Sequence, residues 1–127
     1  PNLAEAAKLT NSDLLKNMDD MRAAAYKLLK MGPKAVLIKG GHLKGDILTD
    51  LLVTPTTEKI FSSLRVLGKD NHGTGCTLAS GIATGLAQGI PLEEAINRAH
   101  KFVHKALEQA PGFGSGCGPL NHLVDID

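Results

Sequence analysis

The 127-residue sequence is poor in aromatic residues, cysteine and blocks of charge, and each absence narrows the possible functions. Aromatic residues make up 3% of the chain and Trp is absent, so we expect no stacking platform for nucleic-acid bases. The formal net charge is +1 with Lys and Arg scattered along the chain, which argues against a nucleic-acid partner. Two cysteines cannot form a disulfide framework, which favours a reducing, cytoplasmic compartment.

Long apolar segments are also missing from the sequence. No run approaches the length that spans a membrane, and Glu5 and Lys8 interrupt the region where a signal peptide would be apolar. We therefore expect no membrane partner and no secretory leader. The 43% of hydrophobic residues is enough for a folded core, and the length suits one small domain or part of a larger one.

The most informative segment is residues 71–78, which read NHGTGCTL and lead into a run of small residues. Glycines on both sides of Thr74 permit a tight turn and a close approach to a ligand. A helix that begins here leaves backbone N–H groups unpaired, and together with the helix dipole they form an anion site. Cys76 lies in the first turn, where the same field lowers the pKa of a thiol. The pattern indicates phosphate chemistry, although a simple tight loop before a helix has the same glycines.

Two helices are predicted at the start of the chain. Asn2 and Glu5 have the spacing of a capping box, which predicts a helix over residues 3–9 and offers a structural role for Glu5. Asn17 is in position to begin a second helix with an apolar stripe, which the Gly32-Pro33 pair ends near residue 31.

A sheet is predicted in the middle of the chain. Residues 35–38 (AVLI) predict a buried parallel strand, and residues 46–53 and 58–64 predict an antiparallel hairpin at the sheet edge. Lys39 follows the first strand at its carboxyl end, where ligands bind in open α/β sheets. Lys39 therefore either contacts a phosphate or is a solvated lysine at the end of a strand.

Two further helices are predicted, over residues 77–89 and from Pro91 onward, before a Gly-rich loop at residues 111–118. The helix that begins at Pro91 has an apolar stripe that is expected to be buried. Its residues His100 and His104 share one face of the helix. Because no Glu or Cys is nearby, a solvated face is favoured over a metal site for this pair. This element order predicts an α/β fold lacking a partner segment, because one parallel strand and a hairpin cannot form a sheet covered on both faces. The predicted stripe consists of Ile96, Ala99, Val103 and Ala106.

Together, four segments resemble the C-terminal half of a ribokinase-superfamily kinase, and in particular the hydroxymethylpyrimidine/phosphomethylpyrimidine kinases of thiamine biosynthesis. They are residues 1–6 (PNLAEA), 35–42 (AVLIKGGH), 72–78 (HGTGCTL) and 118–122 (GPLNH). The resemblance implies a ribokinase-like three-layer α/β/α sandwich, with residues 1–127 as the C-terminal half of a single kinase domain. Chains of this family are about twice as long, so the N-terminal half would have to be supplied.

The resemblance also implies roles for three residues near the start of the chain and after the first strand. Asn2 and Glu5 match the superfamily's Asn-x-x-Glu motif, which implies that they help to hold Mg²⁺, through water. Lys39 matches the position at which the family contacts nucleotide phosphates.

Gly73, Thr74, Gly75 and Cys76 match the family's anion hole for the transferring phosphoryl group, with Gly73 and Gly75 also against the nucleotide. Cys76 stands where most sugar kinases of the superfamily carry an Asp as the base. The resemblance therefore implies that Cys76 is the base and that the substrate bears a hydroxymethyl group on a nitrogen heterocycle.

The implied reaction is ATP- and Mg²⁺-dependent phosphorylation of a small substrate, an aminopyrimidine alcohol or its phosphate, by a cytoplasmic homodimer like those of the family. A pyridoxal kinase of the same branch is an alternative, because the residues of the substrate floor are not in this sequence. A non-catalytic nucleotide-binding remnant is a second alternative. The presence of every motif residue named above speaks against such a remnant.

Overall fold

The computed structural model describes residues 1–41, 45–66 and 73–126, which fall into two compact units, Pro1–Arg65 and Val66–Asp127. Among these described residues, no helix combines the length and the apolar character needed to cross a membrane. Unit one contains helices α1 (Leu3–Thr10) and α2 (Met18–Leu29) and strands β1 (Val36–Lys39), β2 (Ile47–Val53) and β3 (Glu58–Leu64). Unit two contains helices α3 (Thr74–Ala87) and α4 (Leu92–Glu108).

The two helices of unit one begin where the sequence predicts them. The Asn2 side chain caps α1, and the Asn17 side chain caps α2 by accepting the Asp20 N–H at 2.8 Å. An N-cap of this kind contributes about 1 kcal/mol, because it satisfies a backbone donor that the helix leaves unpaired. Asn11 ends α1 in the left-handed region, with a φ of 51°.

The sheet of unit one has the order β1-β2-β3, and both pairings are antiparallel. The predicted hairpin of β2 and β3 is confirmed, but the prediction of β1 as a parallel strand is wrong for its pairing with β2. The link between β1 and β2 is short, and only antiparallel neighbours can be joined without a long crossover. A single parallel bridge joins Lys39 to Asn2, where the Lys39 N–H donates to the Pro1 carbonyl at 2.9 Å.

The core of unit one lies between one face of this sheet and helices α1 and α2. Alternate residues of β1 and β2 point to that face, as the two-residue period of a strand requires. Burial of each large apolar side chain stabilises the unit by about 1.5–3 kcal/mol. The buried residues of this core are Leu3, Ala6, Ala7, Leu15, Met21, Ala24, Ala25, Leu28, Val36, Ile38, Leu51 and Val53.

Unit two is built on the close packing of α3 against α4. A Cβ at Gly81 would lie 3.0 Å from the Ala99 Cβ, and one at Gly85 would lie 2.8 Å from the Ala95 Cβ. Gly81 and Gly85 therefore let the two helices approach each other, whereas the alanines of the same run, Ala79, Ala83 and Ala87, are exposed. Within the predicted stripe of α4, Ile96, Ala99 and Ala106 are buried, whereas Val103 is only half-buried.

Candidate functional site

The start of α1 is closed by a reciprocal pair of hydrogen bonds. The Glu5 N–H donates to the Asn2 Oδ1 at 2.8 Å, and the Asn2 N–H donates to the Glu5 Oε2 at 2.8 Å. The predicted capping box is thus present, and one Glu5 oxygen is engaged in it. The carboxylate nevertheless stays exposed to solvent, so that it can also face a hydrated ion.

Lys39 lies close enough to Glu5 to influence the pKa of its carboxyl group. The backbone hydrogen bond from Asn2 lowers the pKa of Glu5, and the positive charge of Lys39 adds to the lowering. Three residues that the sequence analysis associated with magnesium and nucleotide phosphates therefore lie together in unit one: Asn2, Glu5 and Lys39.

The turn after Lys39 depends on two residues that the sequence analysis missed. The Gly40 N–H donates to the Oδ1 of Asp50, a carboxylate that is 9% exposed, at 3.0 Å. Arg65 donates from its guanidinium to the carbonyls of Gly41 and Gly45. The one available signal was an Asp within the apolar residues of β2, because a buried carboxylate needs a donor nearby.

The start of α3 differs from that of α1. Its N-cap is Gly73, which has a φ of 93° in the left-handed region, and no side chain caps the helix in the described part of the chain. The first backbone hydrogen bond of the helix runs from the Thr77 N–H to the Gly73 carbonyl at 2.9 Å. The N–H groups of Thr74, Gly75 and Cys76 precede that bond and have no place in the helical pattern. We call residues 73–76 the anion cradle.

Cys76 is exposed and belongs to the third position of α3, which confirms its predicted place in the first turn. It also lines an open groove of about 650 Å³ between α3, α4 and the C-terminal segment of unit two. Other residues of the groove are Thr77, Ser80, Gly81, Phe102 and His122. A small molecule bound in the groove would therefore lie directly beside the thiol.

The 118–122 segment, quoted above as a motif without a role, contributes His122 to this groove, next to Val124, Asp125 and Ile126. The His122 Nε2 lies 3.0 Å from the Thr77 Oγ1, and the His122 ring lies 6.4 Å from the Phe102 ring between centroids. The Asn121 N–H donates to the Ala106 carbonyl at 3.1 Å, and Leu120 is buried. The segment is therefore held against both α3 and α4.

The predicted site residues fall into two groups, one in each unit. Asn2, Glu5 and Lys39 belong to unit one, and residues 73–76 belong to unit two. Three residues of the quoted motifs, His42, Asn71 and His72, lie outside the described residues.

Two solved kinases share this fold. The pyridoxal kinase of Bacillus subtilis in complex with ADP matches 96% of this chain with a TM-score of 0.89 and 35% identity. The pyridoxal kinase of Staphylococcus aureus in complex with AMP-PCP and pyridoxal matches 96% of it with a TM-score of 0.91 and 33% identity. The match covers 46% of each of those chains, and it confirms a ribokinase-like α/β fold.

Sequence comparison leads to a narrower group. A family model described as phosphomethylpyrimidine kinase matches residues 1–121. The chain is 42% identical to the hydroxymethylpyrimidine/phosphomethylpyrimidine kinase of Rhizobium meliloti, over 97% of this chain and 47% of that protein. It is 45% identical to the thiamine biosynthesis bifunctional protein ThiED of Geobacter sulfurreducens, over 98% of this chain and 25% of that protein.

The chain therefore belongs to the phosphomethylpyrimidine kinase family, as the resemblance predicted. It spans half or less of the length of these curated relatives.

Proposed function

We propose that this chain is the C-terminal half of a kinase domain that transfers phosphate from ATP to hydroxymethylpyrimidine and to its monophosphate. The observation that carries the proposal is the uncapped start of α3, with Cys76 exposed in its first turn beside the groove. The names of the relatives from Rhizobium meliloti and Bacillus subtilis support the choice of substrate. We use "complete kinase" for this chain together with the N-terminal half of the domain.

In this proposal the anion cradle stabilises the charge on the transferring phosphoryl group. Phosphoryl transfer requires little covalent chemistry from the protein, so positioning and charge stabilisation dominate. The N–H groups of Thr74, Gly75 and Cys76 are held by the helix before any substrate arrives. They therefore need no reorganisation as charge develops, and the helix dipole adds to their effect.

Cys76 acts as the general base in this proposal. The thiol is exposed, forms no disulfide and lies beside the groove, so the hydroxymethyl group of a bound substrate can reach it. Its role is to take the proton of that hydroxyl as the oxygen attacks the phosphoryl group. Both cysteines of the chain are free and exposed, which supports a reducing, cytoplasmic setting.

Asn2, Glu5 and Lys39 bind the charged end of the nucleotide in this proposal. The exposed Glu5 carboxylate, held beside Asn2, suits a Mg²⁺ ion that keeps most of its waters. Such an ion, when bound, would neutralise charge on the phosphates. Asn2 and Glu5 would orient its waters, and Lys39 would donate directly to a phosphate oxygen.

The proposal also includes an N-terminal half of the domain that packs on the sheet, and a second copy of the kinase in a homodimer. Ile47, Ile60 and Leu64 lie on neighbouring strands of the β2–β3 hairpin and are 57%, 49% and 68% exposed. Apolar side chains grouped in this way support the need for further protein, whether the N-terminal half or a second copy.

The alternative substrate is pyridoxal, which the names of the solved structures favour. The test is ATP-dependent phosphorylation of hydroxymethylpyrimidine, its monophosphate and pyridoxal by the complete kinase, with the 127-residue chain alone as the control. We expect the two pyrimidines to have the higher kcat/KM and the chain alone to be inactive. A higher kcat/KM for pyridoxal would replace the proposed substrate, and ATP binding without transfer to any of the three would indicate a non-catalytic remnant.

A further inference from the structure

Arg65 is the last residue of unit one, and it joins the end of β3 to the turn that follows β1. Its Nη2 donates to the Gly41 carbonyl at 3.0 Å, and its Nε donates to the Gly45 carbonyl at 3.1 Å. Its backbone N–H donates to the Asp46 carbonyl at 2.8 Å. One side chain thus contacts the backbone on both sides of residues 42–44, which lie outside the described residues.

Arg65 makes this pair of contacts from two different nitrogens of its guanidinium. The guanidinium is a rigid plane that carries several N–H donors in different directions, so that two separate carbonyls can be satisfied at once. A lysine carries its donors on a single nitrogen and cannot occupy both positions. Arg65→Lys therefore keeps the charge and most of the side-chain length but removes the two-nitrogen geometry that connects the two carbonyls.

Arg65 completes a set of contacts that hold the chain directly after Lys39. The Gly40 N–H is bound by the buried Asp50, and a Cβ at Gly40 would lie 2.0 Å from the Thr49 carbonyl oxygen. Gly40 is thus fixed against β2. Gly41 is the next residue, and its carbonyl is held by Arg65.

We propose that Arg65 is a positioning residue that holds the Lys39-Gly40-Gly41 turn in the conformation that binds nucleotide phosphates. This inference rests on the proposed function, because it takes Lys39 as the phosphate contact. The turn lies at the carboxyl end of β1, the end at which open α/β sheets bind their ligands. Arg65 acts there through the Gly41 carbonyl and not through a contact of its own with the nucleotide.

The first experiment compares Arg65→Lys with Arg22→Lys in the complete kinase. Arg22 is the matched control, because it also joins two partners, Asp19 at 3.0 Å and Glu58 at 2.7 Å, in the same unit. We expect Arg65→Lys to raise the KM for ATP about tenfold, since small displacements of a binding group are costly. The KM for the pyrimidine and the Tm should change no more than in Arg22→Lys.

The second experiment separates positioning from direct binding. If Arg65 acts through the turn, Arg65→Lys should raise the KM for ATP little further once Lys39→Met has removed the phosphate contact. If the fold-increases in the KM for ATP of the two single variants multiply in the double variant, the inference is overturned. A wild-type KM for ATP in Arg65→Lys would also overturn it. If Arg65→Lys lowers the Tm more than Arg22→Lys does, Arg65→Gln is used as the second variant. Its KM for ATP is then measured with and without Lys39→Met, and the same outcomes decide.

The affinity for ATP, measured by calorimetry on the same variants, separates this inference from the proposed function. An Arg65-dependent ATP affinity in a protein that phosphorylates none of the three substrates would sustain the inference and overturn only the proposed kinase activity. If the kinase phosphorylates hydroxymethylpyrimidine and Arg65→Lys leaves its ATP affinity unchanged, the proposed function is sustained and the inference about Arg65 is overturned.

Discussion

The two helix starts that carry the predicted site residues are built in opposite ways. At α1, Asn2 and Glu5 exchange two hydrogen bonds of 2.8 Å, so the protein itself satisfies the donors there. At α3, Gly73 turns the chain with a φ of 93°, and no side chain caps the helix in the described part of the chain. Both segments have residue types that are common at helix starts. The first N–H groups of α1 are nevertheless capped by side chains, whereas those of α3 are not capped by any described side chain.

In the proposed function, this difference separates a helix start that is stabilised by its own side chains from one that binds a ligand. A side-chain cap contributes about 1 kcal/mol, and α3 forgoes that contribution. In the proposed function, the first N–H groups of α3 bind an anion instead, which the closed start of α1 cannot do to the same extent. We therefore expect changes at the start of α3 to affect turnover, and changes at the start of α1 to affect mainly the helix and its bound ion.

The largest expected effect is that of Cys76→Ala in the complete kinase. This change keeps the backbone N–H of the anion cradle and removes only the base. We expect kcat to fall by roughly 10²–10⁴-fold, the usual contribution of a general base, with ATP binding nearly unchanged. Steady-state kinetics with hydroxymethylpyrimidine measures this, and Cys117→Ala, which changes the other exposed cysteine, is the control.

Cys76→Asp should retain more activity than Cys76→Ala, because a carboxylate can accept the same proton. A wild-type rate in Cys76→Ala would reduce Cys76 to a small residue at an open helix start and place the base elsewhere.

An intermediate effect is expected from Gly73→Ala, with Gly89→Ala as its matched control. Both glycines have left-handed φ values, 93° and 80°, and a Cβ at either would meet no atom of the described residues within 4 Å. The two changes should therefore cost similar stability, about 1–2 kcal/mol of backbone strain. Only Gly73→Ala should also lower kcat, because it distorts the anion cradle. Equal kcat values in the two variants, with equal losses of Tm, would show that the geometry of Gly73 matters for folding alone.

The smallest expected effect is that of Glu5→Gln on the closed helix. Gln can also close a capping box, so we expect the Tm to change little. If Glu5 orients the waters of Mg²⁺, a magnesium titration of the complete kinase should shift to higher concentration, because the carboxylate charge is lost. Asp20→Asn is the control, since Asp20 similarly accepts the Lys16 N–H at 2.9 Å at the start of α2. An unchanged titration would leave Glu5 with its capping role only.

Several features of the fold could be predicted because they depend on neighbours in the sequence. The capping pairs, the glycine turn before α3 and the place of Cys76 in the first turn involve residues within about one helical turn of each other. Local backbone geometry determines such contacts wherever the segment lies in the fold. The β2–β3 hairpin could be predicted for the same reason, since Val53 and Glu58 are joined by a short turn.

Other features could not be predicted, because a linear pattern does not specify which distant segments meet. An apolar run such as residues 35–38 indicates burial, but its antiparallel pairing with β2 depends on how the chain returns through the turn after Lys39. Val103 fits the helical period of the buried stripe, yet it is half-buried in the structure, because the period does not specify what packs against each position.

The sequence by itself determined the family, the four helices, the hairpin and the two local helix starts on which the proposed site depends. The tertiary structure alone decided the direction of β1, the burial of Asp50 under Gly40, and the contacts of Arg65 with Gly41 and Gly45. The physical reason is that these contacts join residues 10 to 24 positions apart in sequence. Their energies depend on the packed positions of β1, β2 and β3, which local propensities do not define.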